Sequence, residues 1–140
     1  MLTKIKTFLS GLSTNQEPTP EIKLYDLGLL KDTVGNNPDS LREIITLFLQ
    51  SKPAELEQLE LAVKDHNLSA IARWAHCIKG NLKLFGMDET YNQLVWIELI
   101  AKKNEEQWNN DIEVYWQRID QTFTLILSQL PKELVYMHAE

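Results

Sequence analysis

Residues 68–85 read LSAIARWAHCIKGNLKLF, and this stretch decides the fold. Leu68, Ile71, Ala75, Ile78, Leu82 and Phe85 recur at intervals of three and four, the period of a helix with one buried stripe. The spacing predicts a helix over 68–85, closed by Gly86 as a C-cap glycine. Working outward, the same period returns on both sides. Downstream, residues 89–103 predict a further helix. Ile112, Trp116, Ile119, Phe123, Ile126 and Leu130 then place a last one over 105–130, ended by Pro131. Upstream, Leu41, Ile44, Ile45, Phe48 and Leu49 are continued past Pro53 by Leu56, Leu59 and Val63. One long helix, kinked at that proline and ending near Asp65, accounts for them. Asn37 is its expected N-cap and Pro38 its first residue. A short helix is expected from about Asp26 to Val34, stopped by Gly35. No stretch has the period of a strand, and five Gly and five Pro leave little room for a many-turned β fold. The reading is all-α: an antiparallel up-down-up-down four-helix bundle with an additional short N-terminal helix.

The 140 residues suit one domain with a real core, and 44% apolar with 24% charged residues is ordinary globular composition. A net charge of −6 argues against a nucleic-acid partner, because that affinity rests on Lys and Arg neutralising phosphates. Cys77 is the only cysteine, which excludes an intramolecular disulfide and a thiolate cluster; it is expected to be packed. His66 and His138 lack ligand spacing with His76, so no metal site is expected. At the N-terminus Met1, Leu2, Ile5, Phe8, Leu9 and Leu12 share a helical stripe, and STNQEPTP (13–20) reads as a linker. The expected organisation is an arm and linker over 1–20, the bundle over 21–131 and a tail over 132–140. Lys4 and Lys6 break the apolar run a leader would need, and no run approaches the ~18 residues of a membrane span. The chain is expected to have no membrane span and to be cytoplasmic.

The chemistry gathers around His76. In a continuous helix its neighbours one turn away are Ala72 and Arg73 before it, Lys79 and Gly80 after it. A mid-helix glycine costs about 1 kcal/mol relative to alanine. That cost makes sense if something large must approach the imidazole, with Ala72 and Gly80 clearing space. Between Asp65 and Asp88 there is no acidic residue, so Arg73, Lys79 and Lys83 form a positive island on an acidic protein. A neutral imidazole is a nucleophile near pH 7, and a lysine one turn away is a point charge for phosphoryl oxygens. A histidine beside an apolar seam more often serves as a hydrogen-bonded core residue; the glycine, the lysine and the acid-free window together favour a phosphoryl carrier.

AHCIKGNLKLFG (75–86) resembles the signature of histidine phosphotransfer (HPt) domains, matching at Ala75, His76, Ile78, Lys79, Gly80 and Gly86. The resemblance extends over roughly residues 25–130. It implies a four-helix bundle carrying phosphate between aspartates of receiver domains. His76 would accept the phosphoryl group from an aspartyl phosphate, Lys79 would steady it, and Gly80 would leave room for the receiver's loops. The implied partners are receiver domains of response regulators or hybrid histidine kinases. The receiver would bring Mg²⁺, and this chain, with no nucleotide site, would be a phosphocarrier with no cofactor of its own. Asn81 and Lys83 depart from the family's usual small residues. Lys83, two turns along from His76 on the same helical face, would add a phosphate contact or obstruct some receivers. The alternative is a helical-bundle adaptor that binds a receiver or another signalling protein without carrying phosphate.

Two further features stand in LVWIELIA (94–101). A helical hairpin turning at Met87 places residue i opposite about 174 − i, so His76 faces Glu98. Glu98 would then orient the ring by accepting from Nδ1, or else lie at a solvent edge unrelated to it. Leu94, Val95, Trp96, Ile97, Leu99 and Ile100 cover more than one face, a surplus that buries the N-terminal helix or makes a protein contact.

Overall fold

The computed structural model describes residues 22–103 and 107–138, with side chains to 135. The expected arm over 1–20 lies outside the described residues. Five helices follow one another: α1 (Gly28–Thr33), α2 (Pro38–Lys64), α3 (Leu68–Lys79), α4 (Asp88–Lys102) and α5 (Asp111–His138). There is no strand among the described residues. α2 packs on α3 and α5, and α4 packs on the same two, so four helices ring one core.

Local chemistry sets the starts. Asn37 caps α2 with its side chain accepting from the Asp39 and Ser40 amides, ahead of Pro38. Asn67 caps α3 by accepting from the Ala70 amide at 3.1 Å. The α2–α3 turn needs His66 at φ 52°, and its ring stacks on Trp108 at 3.8 Å, tying that turn to the α4–α5 connection. The seam residues Ile71, Ala75, Ile78, Leu82 and Phe85 are fully buried, as are Ile112, Ile119, Ile126 and Leu130 of α5. Phe48 joins the two sides, its ring 4.2 Å from Phe85 and 6.3 Å from Phe123.

Three boundaries differ from the sequence reading. α3 ends at Lys79, not at Phe85. Residues 80–86 are turns, with Leu82 N–H donating to Lys79 O, Phe85 to Leu82 and Gly86 to Lys83. An i to i+3 bond keeps residues three apart on one side, so Leu82 and Phe85 stay buried although the helix has tightened. α5 begins at Asp111, where the Asn109 side chain accepts the Asp111 amide at 2.9 Å, and runs through Pro131 to His138. The proline lacks the N–H that would bond the Leu127 carbonyl, but contacts beyond it hold the helix. Glu133 accepts from Tyr25 Oη at 2.8 Å and pairs with Lys23 at 3.2 Å, and Leu134 packs on the core. Residues 132–138 are therefore helix rather than tail. Pro53 likewise lies inside continuous α2.

The second glycine of the motif has a clear structural cause. Gly86 has φ +66°, and a Cβ there would lie 2.7 Å from Asp26 N, Cβ and O. That close approach lets the Asp26 amide donate to Phe85 O at 2.9 Å, strapping the N-terminal segment across the end of the α3–α4 hairpin.

Candidate functional site

His76 lies in the last turn of α3 with its side chain 71% exposed. The α3–α4 hairpin puts it opposite α4 in the register the sequence suggests: His76 Nδ1 is 3.2 Å from Glu98 Oε1. Glu98 is only 7% exposed, held at the seam between the two helices. The same Oε1 takes the Lys79 ammonium at 2.9 Å, while Oε2 takes Lys102 at 3.0 Å. Burial raises the Glu98 pKa, but hydrogen bonds from Lys79, Lys102 and His76, together with the Lys79 charge, outweigh it. The result is a carboxyl lowered from the ordinary 4.5 to about 2.

That charge state has a consequence for the ring. An ionised carboxylate only accepts, so the His76 nitrogen facing it must carry the hydrogen. In the neutral imidazole Nδ1–H then donates to Glu98, and the lone pair sits on Nε2. A ring this exposed offers that nitrogen to an incoming molecule.

The positive island is altered by the tertiary structure. Lys79 does not stand as a free ammonium: it is bound to Glu98 from the neighbouring helix, and its side chain is 18% exposed. Lys83 lies in the 80–86 turn instead of two helical turns along one face, with its ammonium 4.6 Å from the Tyr91 ring centroid. Arg73 lies 5.4 Å from the Trp74 ring and is exposed. Ala72 is half-buried against the core, so it belongs to the packing beneath the site. Among the described residues Glu98 is the carboxylate that pairs with both Lys79 and Lys102. Cys77, expected to be packed, is exposed.

Gly80 is exposed at the C-cap of α3 with ordinary right-handed angles, φ −55° and ψ −31°. A Cβ there would meet nothing closer than Cys77 O at 3.4 Å, an ordinary contact. Neither backbone conformation nor internal packing requires a glycine at this position, in contrast to Gly86.

Three residues join the site that the sequence reading passed over. Lys102 was legible as the i+4 partner of Glu98. Tyr91, beneath Lys83 and 5.9 Å from the Lys79 ammonium, follows from the same register that pairs His76 with Glu98. Lys52 is 3% exposed, and its ammonium donates to Ile78 O and Glu55 Oε2, each at 3.0 Å. It pins the last turn of α3 to α2. Its signal was its place in the apolar series Phe48, Lys52, Leu56, Leu59, Val63.

Among the described residues no helix is long and apolar enough to cross a membrane. In comparison with known proteins, the family model described as Hpt domain matches residues 43–134, well over half of the chain. The match runs from α2 through most of α5 and contains His76, Lys79 and Glu98. No curated protein and no solved structure matches the chain.

Proposed function

The chain belongs to the Hpt domain family, whose members are phosphocarrier modules of two-component signalling that interact with receiver domains, and from that premise we propose that it works in a multistep phosphorelay. His76 takes the phosphoryl group from a receiver's aspartyl phosphate and passes it to the aspartate of a second receiver. In the forward step the Nε2 lone pair forms the N–P bond while the acyl phosphate P–O bond breaks and the aspartate leaves as carboxylate. The reverse sequence of bond changes delivers the group to the next aspartate. The phosphorylated ring is more positive than the free one, and Glu98 stabilises it through Nδ1–H. Lys79, which shares Glu98 Oε1 with the ring, is placed to exchange that partner for a phosphoryl oxygen. Mg²⁺ comes with the receiver.

The single observation that carries this reading is an imidazole exposed on one side and held through Nδ1 by an ionised carboxylate on the other. Gly80 supports it, since the absence of an internal need for glycine fits an external one. The test is transfer of radiolabel from a phosphorylated receiver to the chain. His76→Gln is expected to abolish uptake with the helical circular dichroism unchanged; undiminished uptake by that variant overturns the proposal. Receiver binding of equal strength in wild type and His76→Gln, with no acid-labile phosphate on either, is the result the adaptor reading requires.

A further inference from the structure

Glu98 holds more donors than the imidazole alone supplies. Its Oε1 faces His76 Nδ1 at 3.2 Å and accepts from Lys79 at 2.9 Å, while Oε2 accepts from Lys102 at 3.0 Å. The two ammonium groups reach the carboxylate from opposite ends. Lys79 is the last residue of α3, next to the 80–86 turn, and its ammonium is 5.9 Å from the ring of Tyr91 in the first turn of α4. Lys102 is the last residue of α4, one turn beyond Glu98. In the antiparallel register that sets residue i against about 174 − i, Lys102 falls opposite Ala72, on the turn of α3 before His76. Each lysine therefore has its own oxygen and its own side of the ring.

We propose that Lys102 is the positioning residue that keeps Glu98 against His76 Nδ1 when Lys79 leaves the carboxylate. The role rests on the phosphocarrier reading, in which Lys79 moves onto a phosphoryl oxygen. A buried carboxylate that loses its cation takes up a proton or turns toward water. Either change costs the imidazole its partner, because a protonated carboxyl can donate and a turned one is out of reach. A second ammonium on the other oxygen prevents both. Lys102 keeps one positive charge on Glu98 throughout, and it does not compete with His76 for Oε1 as Lys79 does. Once Lys79 departs, Oε1 belongs to the ring alone. The pairing of Glu98 with Lys102 runs from i to i+4, the favourable order for acid and base along a helix, so it lies within α4 and is independent of where the Lys79 side chain goes. A lysine in the last turn also complements the negative end of the helix, a role that the adjacent Lys103 would serve as well. That role would leave the imidazole unaffected, so the imidazole itself distinguishes the two.

Lys79→Met imitates the departure of Lys79 without any phosphate. Nitrogen-15 shifts of His76, at a pH where the ring is neutral, are expected to show Nδ1 protonated in the wild type and in Lys79→Met. The double variant Lys79→Met with Lys102→Met is expected to show a mixture of tautomers, and Lys79→Met with Lys102→Arg to return to the Nδ1 form. Lys102 is 60% exposed, so the helical circular dichroism should not change on its substitution. A mixture of tautomers already in Lys79→Met overturns the proposal, and so does a fully Nδ1-protonated ring in the double Met variant. In radiolabel transfer from a phosphorylated receiver, Lys102→Met alone should slow uptake by roughly tenfold, the lower end of what outer partners of a metal-bound histidine contribute, with Lys102→Arg close to wild type. Wild-type uptake by Lys102→Met also overturns the proposal. Absence of uptake by the wild type would instead refute the phosphocarrier reading, while the tautomer comparison would still decide whether Lys102 holds Glu98 in place.

Discussion

At the level of single residues the acid limb of stability belongs to Glu98. Its carboxyl protonates near 4.5 in the unfolded chain and near 2 in the folded one. Between those values the unfolded chain binds a proton that the folded chain refuses, so stability falls as pH drops through that window. The total lost is about 3 kcal/mol, since each pH unit between the two values costs ~1.4 kcal/mol. Urea titrations at a series of pH values between 5 and 2 should show this slope, and Glu98→Gln should remove its share of it. The same residue sets the imidazole. Nitrogen-15 shifts of His76 in the neutral ring should report Nδ1 protonated in the wild type, and a mixture of tautomers in Glu98→Ala. A wild-type ring with its hydrogen on Nε2 would contradict the geometry. The pairing of His76 with Glu98 was legible because a hairpin register is simple arithmetic once the turn is placed. That Lys79 shares the carboxylate was not legible, since it depends on how the two helices are rotated about their axes.

Helix ends separate the two glycines of the motif. Gly80→Ala adds a methyl at an ordinary 3.4 Å contact in right-handed backbone, so it should stabilise the fold by about 0.4–1 kcal/mol through the unfolded chain. Under the proposed function it should slow phosphate uptake even so. A stabler protein with reduced transfer is the expected signature, and calorimetry with the radiolabel assay reads both. Gly86→Ala should behave oppositely. A left-handed φ of +66° and a Cβ 2.7 Å from Asp26 backbone atoms predict a loss of at least roughly 1–3 kcal/mol. The sequence pattern already gives the two glycines different roles, Gly86 as a C-cap and Gly80 as a mid-helix residue, but it puts Gly80 inside the helix because it extends α3 to Phe85. A tightened turn and an α-helix both bring residues three apart to one side, so apolar spacing alone does not distinguish them.

Across the whole molecule the last turn of α3, which carries His76, is held from two sides, by α4 through Glu98 and by α2 through Lys52. The buried Lys52 ammonium bonds the Ile78 carbonyl, a group near the end of α3 with no helical amide to receive. Lys52→Met keeps most of the side-chain volume but strands that carbonyl and Glu55. The expected loss is about 1–3 kcal/mol by urea denaturation, with helix content retained. The N-terminal segment and the last turns of α5 are a third tie, through Tyr25, Lys23 and Glu133. They explain why a proline that looks like a stop signal does not end α5. Its penalty in a helix interior is about 3 kcal/mol, and tertiary contacts on its far side offset that.

What the linear order of residues determined on its own was the helical class, the bundle, the order of its four long helices, the capping of α2 by Asn37 and the face that carries His76. Each of these follows from apolar period and short-range hydrogen bonding, which act between residues close in the chain. Only the tertiary structure decided that Lys79 is bound, that α3 stops at its glycine, that α5 outlasts its proline and that Lys52 is buried. For Lys79, Lys52 and the far side of Pro131 the deciding contact joins different parts of the fold, and its strength depends on separations that spacing within one helix does not specify; the end of α3 is set by tightened turns that apolar spacing does not distinguish from helix.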